Sequence, residues 1–392
     1  MKVTLYSLAI NIRRFLVGFL IFAVIVVALD FIGKLFTSEE GFFAPTTTIW
    51  QDIPLNGFGV NLPFPEIESL AISKDSKPVY SLRDDFGIFP DTALVYQVNK
   101  PREKLDSADR AKNIAERLGF EPNEFKNEQG LLTWENPRRT RRLTHHLVNR
   151  TWNFETVTYF QDENAIRTKV TDKESTKYPQ LIRSVIGQLD FTSSSLTSGE
   201  VQTAFVTRTA TGFAPVTFTQ NAEYVVGNVF RKLIMSSVKP DEELKDEQGQ
   251  PIRDFSAKVY TRKPEEGSLS LVVADDVEDL SKDMYEFKFT DFEYTANSSY
   301  YHLISPTLAW QGVQTGKGRL MSLIPQNKSR FEDYTIADVD RFIAEATQTE
   351  LAYYEPEEWT GYIYPVYIFR GIAQLRTGGT ASFVFYIDAM RR

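Results

Sequence analysis

Hydrophobic and polar positions along this chain follow three patterns. The first is a solid apolar run. Residues 15–29 are all apolar or glycine, and after Asp30 the run resumes with Phe31 and Ile32. Carried through Gly33, it makes roughly 28 Å of helix, close to the thickness of a bilayer's hydrocarbon. Lys2, Arg13 and Arg14 precede it, and Lys34, Glu39 and Glu40 follow. The positive-inside rule then predicts a cytoplasmic tail at 1–14, an uncleaved transmembrane signal anchor at 15–36 and an exported remainder. No small-x-small site follows the run, so a cleaved signal peptide is disfavoured.

The second pattern is helical spacing. Ala108, Ala111, Ile114, Ala115 and Leu118 share one face of a predicted helix that Gly119 ends. Leu181, Ile182, Val185, Ile186 and Leu189 do the same over 178–189. The third is alternation, which predicts strands. Strands are expected at 93–98, 131–134, 143–148, 154–160, 201–207, 257–261, 269–274 and 284–294. Residues 222–235 stay ambiguous between helix and strand. Six prolines between Pro45 and Pro90 argue against helix there, so 37–90 reads as a proline-rich stalk, with 58–65 extended against a domain.

Near the C-terminus the order of elements repeats. A short strand meets Pro306, a helix follows over 307–315, and strands come at 319–324, 343–354, 362–372 and 381–389. The division read from this is a first α+β module at 91–195, a sheet-rich middle at 196–298 and a second α+β module at 299–392. The fold class expected is α+β: one N-terminal transmembrane helix followed by an exported ectodomain of helix-plus-antiparallel-meander modules.

The segments Glu350-Leu-Ala-Tyr-Tyr-Glu355, Tyr362-Ile-Tyr-Pro-Val-Tyr-Ile-Phe-Arg-Gly371 and Phe383-Val-Phe-Tyr-Ile-Asp-Ala389 resemble the end of YycI/YycH-type regulatory proteins and their PepSY-like modules. That resemblance implies one N-terminal anchor, an exported helix-plus-meander domain, and a non-enzymatic role in binding a membrane partner such as a sensor kinase. It carries over no binding residue.

Composition narrows the chemistry. The net charge is −8; residues 1–36 contribute +3, leaving −11 for the rest. So acidic a surface disfavours nucleic acid. There is no cysteine, which excludes disulfides, thiol chemistry and Cys-ligated zinc and suits a bacterial envelope. Of the three histidines, His145 and His146 point to opposite faces of one strand and cannot share a metal. Ser236-Ser-Val-Lys239 fits Ser-x-x-Lys, but the companion motifs of that enzyme class are missing. Gly312-Val-Gln-Thr-Gly-Lys-Gly318 is one residue short of a phosphate loop and ends a helix instead of opening one. No cofactor is expected.

Two features remain as candidate contacts. Arg138, Arg139, Arg141 and Arg142 crowd one turn, which reads either as a solvated hairpin tip or as an anion- or partner-binding knob. Pro365 between Tyr364 and Tyr367 marks a bulge or a sheet edge, and an edge can accept a partner strand. Together these predict a membrane-anchored extracytoplasmic binding or regulatory protein, not an enzyme. Its partners would be membrane lipid through 15–36, a membrane or cell-wall protein, and a second copy of the chain. The alternatives are an envelope hydrolase with an unrecognised site and a self-assembling surface protein.

Overall fold

Alternation wins over helical spacing along most of this chain. The computed structural model describes residues 53–136, 141–156, 177–191, 193–209, 212–216, 222–237, 254–290, 292–325 and 336–392. These hold twenty-one strands and five α-helices. The first half runs β1 (Ala71–Ile72), β2 (Val79–Arg83), β3 (Thr92–Val98), α1 (Ser107–Arg117), β4 (Lys126–Glu128), β5 (Leu131–Asn136), β6 (Arg141–His146), β7 (Thr151–Thr156), α2 (Lys177–Gln188), α3 (Ser194–Thr197), β8 (Glu200–Thr209), β9 (Gly212–Pro215) and β10 (Tyr224–Phe230). The second half runs β11 (Lys232–Ser237), β12 (Asp254–Tyr260), β13 (Leu269–Val273), α4 (Leu280–Asp283), β14 (Met284–Thr290), β15 (Tyr294–His302), α5 (Pro306–Gln314), β16 (Arg319–Pro325), β17 (Ile336–Ala337), β18 (Val339–Glu345), β19 (Glu350–Tyr354), β20 (Tyr362–Leu375) and β21 (Thr380–Asp388).

Nine strands form a first sheet in the order β4-β5-β6-β7-β14-β13-β10-β8-β9. Every neighbouring pair in it is antiparallel. An antiparallel sheet can bury one face and leave the other wet. Here Trp134, Leu143, Phe154, Leu271 and Phe287 point to the buried face and pack with α1 and α2. Helix α2 sits close because Gly227 of β10 has no side chain; a Cβ there would lie 2.5 Å from Ile182. On the opposite face Arg142 and Lys288 are exposed.

The second sheet has ten strands, and β20 is its hub. Along one edge β20 pairs first with β19 and then with β18. Along the other it pairs with β3 and then with β21. Helix α5, capped by the Ser305 hydroxyl accepting from Leu308 N–H, contributes Ala309, Trp310 and Val313 to a core with Phe342, Phe369 and Phe385. The segment 53–90 carries β1 and β2, and its Phe64 and Ile67 pack with Tyr354, Ile368 and Tyr386 of the second sheet.

Three expectations are corrected. The described residues form a β-rich fold built on two large sheets, not an α+β series of helix-plus-antiparallel-meander modules. Segments read as separate meanders merge through pairs distant in sequence, such as β7 with β14 and β12 with β19. The single-pass membrane placement, with an extracytoplasmic C-terminal part, is not supported either. No helix among the described residues is long and apolar enough to cross a membrane, and the run at 15–29 lies outside them. Lastly, Tyr364, Pro365 and Tyr367 sit at the centre of the second sheet and not at an edge; Tyr364 and Tyr367 are buried.

Pro365 is tolerated there for a local reason. Its carbonyl accepts from Ala389 N–H at 3.1 Å, so its nitrogen faces the same side. On that side β20 exchanges β3, paired at Tyr362 and Ile363, for β21, paired from Val366 onward. A missing N–H costs least where one ladder has stopped and the next has not begun.

Gly371 and Gly187 make opposite expectations. A Cβ on Gly371 would lie 2.0 Å from the Ile343 carbonyl oxygen, a backbone atom that cannot swing away. Gly371→Ala is expected to lower unfolding free energy by about 2 kcal/mol or more. Gly187→Ala, in α2 with nothing within 4 Å, is expected to raise it by up to about 1 kcal/mol. Urea denaturation of both variants checks the pair.

Candidate functional site

The chain passes from the first sheet to the second at Arg231, between β10 and β11. It passes again between β14 and β15, through Phe292 and Glu293. At such crossings backbone carbonyls leave the ladders while still buried, and each needs a donor. Arg231 supplies them. It is 0% exposed, and its guanidinium donates to the carbonyls of Thr290 at 2.9 Å and Phe292 at 3.1 Å. It also donates to the Tyr294 hydroxyl and to Glu355 Oε1, each at 3.2 Å. The Tyr294 hydroxyl donates to the same carboxylate oxygen.

Backbone bonds frame this cluster. Val259 N–H donates to the Arg231 carbonyl and Glu355 N–H to the Tyr260 carbonyl, both at 2.8 Å. The guanidinium also lies over the rings of Phe289 and Tyr294, 5.6 and 5.4 Å from their centroids. Burial, and then the Glu355 charge, push the Tyr294 phenol well above its usual value, so it remains a donor. An arginine suits the place because one planar head offers five N–H groups.

Glu355 opens the hairpin 355–361 that joins β19 to β20. A narrow cleft of about 10 Å³ lies beside it, lined by Val98, Phe292, Tyr294, Glu355, Glu358 and Trp359 among others. That is room for about one water molecule. Trp359 is 41% exposed, yet its indole N–H is pinned to the Val98 carbonyl at 3.1 Å. Gly361, at φ +82°, brings the chain back under the ring, and its carbonyl accepts from Val98 N–H at 2.8 Å. The Lys100 ammonium lies 5.9 Å from the Trp359 ring centroid.

The arginines singled out by sequence do not come together as one free knob. Arg138 and Arg139 lie outside the described residues. Arg141 is buried; its guanidinium donates to the Ser281 and Met284 carbonyls and lies 5.7 Å from the Phe154 ring centroid. Arg142 pairs with Glu135 at 3.1 Å and Glu155 at 3.7 Å. His145 and His146 do face opposite ways. His145 is buried and stacked on Trp152, while the His146 ring accepts from Asn149 N–H. Among the described residues no group of three His, Asp or Glu is placed to hold a metal.

Arg231, Tyr294, Glu355 and Trp359 were not anticipated from sequence. One signal was present: Arg231 follows Val225-Val-Gly-Asn-Val-Phe230, apolar but for Gly227 and Asn228, inside the segment left ambiguous between helix and strand.

Comparison with known proteins adds little. No protein-family model matches this chain, and no curated protein matches it. Among solved structures, a crystal structure of an uncharacterised protein from Eubacterium rectale superposes with a TM-score of 0.40 at 12% identity. It covers 80% of this chain and 90% of that one. A likeness of that size carries no argument about function.

Two outcomes follow from the buried groups. Removing one partner of a buried ion pair costs about 3–5 kcal/mol, because the other charge is stranded. Arg231→Met is expected to cost more than Glu355→Gln, since two carbonyls also lose their donor. The double variant Arg231→Met/Glu355→Leu is expected to lose less than the sum of the singles, and a denaturation double-mutant cycle measures it. Burial also pushes the His145 imidazole down from 6.5 to about 4, against a hydrogen bond to the Thr151 carbonyl that raises it. The unfolded chain then binds a proton that the folded chain refuses, so this stability is complete above pH 6.5 and drains away as pH falls toward 4. Acidifying from pH 7 to pH 5 is expected to cost about 2 kcal/mol, most of it absent in His145→Phe, as read by urea denaturation at both pH values.

Proposed function

We propose that this chain is a non-catalytic binding protein that docks a protein partner on the hairpin 355–361, where its two sheets join. Trp359 is the observation that carries this. A large aromatic ring 41% exposed is a strong contact residue only if it is already ordered. Here the ordering is built in. The indole N–H, the Gly361 turn and the Thr360 hydroxyl, which donates to the Tyr362 carbonyl at 3.0 Å, hold the loop in one shape. Beneath it, the Arg231–Glu355 pair fixes the start of the hairpin to the sheet junction. A partner therefore meets a preformed surface and loses little entropy in ordering it.

The cleft beside Trp359 is too small for a metabolite, which favours a partner that lies across the surface. A photo-crosslinking residue at position 357, exposed on the same hairpin, introduced into the full chain in its own cells, tests the proposal. One recurrent protein adduct is expected, falling at least tenfold when Trp359→Ala is added, while the melting temperature stays within about 3 °C. No adduct, adducts with a second copy of this chain only, or adducts indifferent to Trp359→Ala would overturn it.

A further inference from the structure

We propose that this hairpin selects a cationic segment of its partner, and that Lys100 of the same chain occupies the place a partner's lysine or arginine takes. The inference rests on the docking surface just described and names its ligand chemistry. Three observations meet around Trp359.

First, the Trp359 ring face already receives a cation, the Lys100 ammonium at 5.9 Å. The indole face carries the negative part of its quadrupole and attracts ammonium and guanidinium groups alike. Second, the neighbouring cations are committed elsewhere and Lys100 is not. Lys104 and Arg150 both pair with Glu293, and Arg231 pairs with Glu355. Lys100 is exposed and makes no ion pair among the described residues, so little holds it against a competitor. Third, Glu358 lines the same cleft, is exposed, and makes no ion pair among the described residues. A fixed aromatic face beside an uncommitted carboxylate is how proteins recognise organic cations in water. The chain's net charge of −8 adds a long-range pull of the same sign.

The narrowness of the cleft decides the kind of cation. With about 10 Å³ of free space it cannot enclose a free amine, whereas a side chain laid across the ring needs no cavity. A basic peptide segment is therefore the fitting ligand.

Titration of the full chain with a hexa-arginine peptide tests this, read from the Trp359 indole N–H resonance assigned by its loss in Trp359→Phe. Hexa-glutamate is the control. Hexa-arginine is expected to shift that resonance and hexa-glutamate to leave it unmoved. Lys100→Ala is expected to tighten binding about two- to fivefold by removing the internal competitor, and Glu358→Gln to weaken it by a similar factor. Added salt is expected to weaken binding, because the site lies at the surface. An unmoved resonance with hexa-arginine, an equal shift with hexa-glutamate, or no gain in Lys100→Ala would overturn the inference. If crosslinking from position 357 traps a partner through a segment without lysine or arginine, this inference falls and the docking proposal stands. If nothing is trapped there and hexa-arginine leaves the indole unmoved, both fall.

Discussion

The fold depends on keeping one guanidinium buried where the chain changes sheets. Two sheets can share one continuous chain only if it crosses between them, and each crossing removes carbonyls from their ladders. Arg231 bonds the carbonyls of Thr290 and Phe292 from its own crossing, and so ties that crossing to the one between β14 and β15. Glu355 balances its charge, and Tyr294 bonds to both. Hydrophobic residues of the same size would pack as well and would leave those carbonyls unanswered. The polar cluster thus sets how four segments meet, a matter of specificity as much as of net stability.

The same cluster links architecture to the docking surface. Glu355 is at once the counter-ion of Arg231 and the first residue of the hairpin that displays Trp359. An exposed tryptophan on a loose loop would be a liability, since its ordering would be charged against any binding energy. On this hairpin the ring is held by its own N–H, by the Gly361 turn and by the ladder that resumes at Tyr362. The position of Trp359 is therefore set by residues far away in sequence, Val98 above all.

Strand β20 shows how local chemistry serves a global plan. It exchanges neighbours on both edges within one strand, from β3 to β21 on one side and from β19 to β18 on the other. Pro365 falls at the first exchange, where no N–H is required. Gly371 lies where β18 runs too close for a side chain. Pro365 read alone suggests an edge, because proline is usually excluded from the middle of a sheet. It sits in the middle because the ladder beside it has a gap.

By itself the sequence determined the local elements. The helices at 107–117 and 177–188 and the strands of the first meander follow from spacing, glycine and proline, which act over a few residues. The opposed faces of His145 and His146 follow from the two-residue period of a strand. Only the tertiary structure decided which strands share a sheet. Residues 222–235, ambiguous as sequence, are two strands in different sheets with Arg231 between them, and the chain changes sheets again between β14 and β15. It also decided that Arg141 is buried and Arg142 ion-paired, and that Lys100 reaches the Trp359 ring. Strand pairing and side-chain convergence join residues a hundred or more positions apart, and the hydrogen bonds that choose among such pairings are chemically alike at every residue. Periodicity tells which face a residue takes; it does not tell what that face will meet.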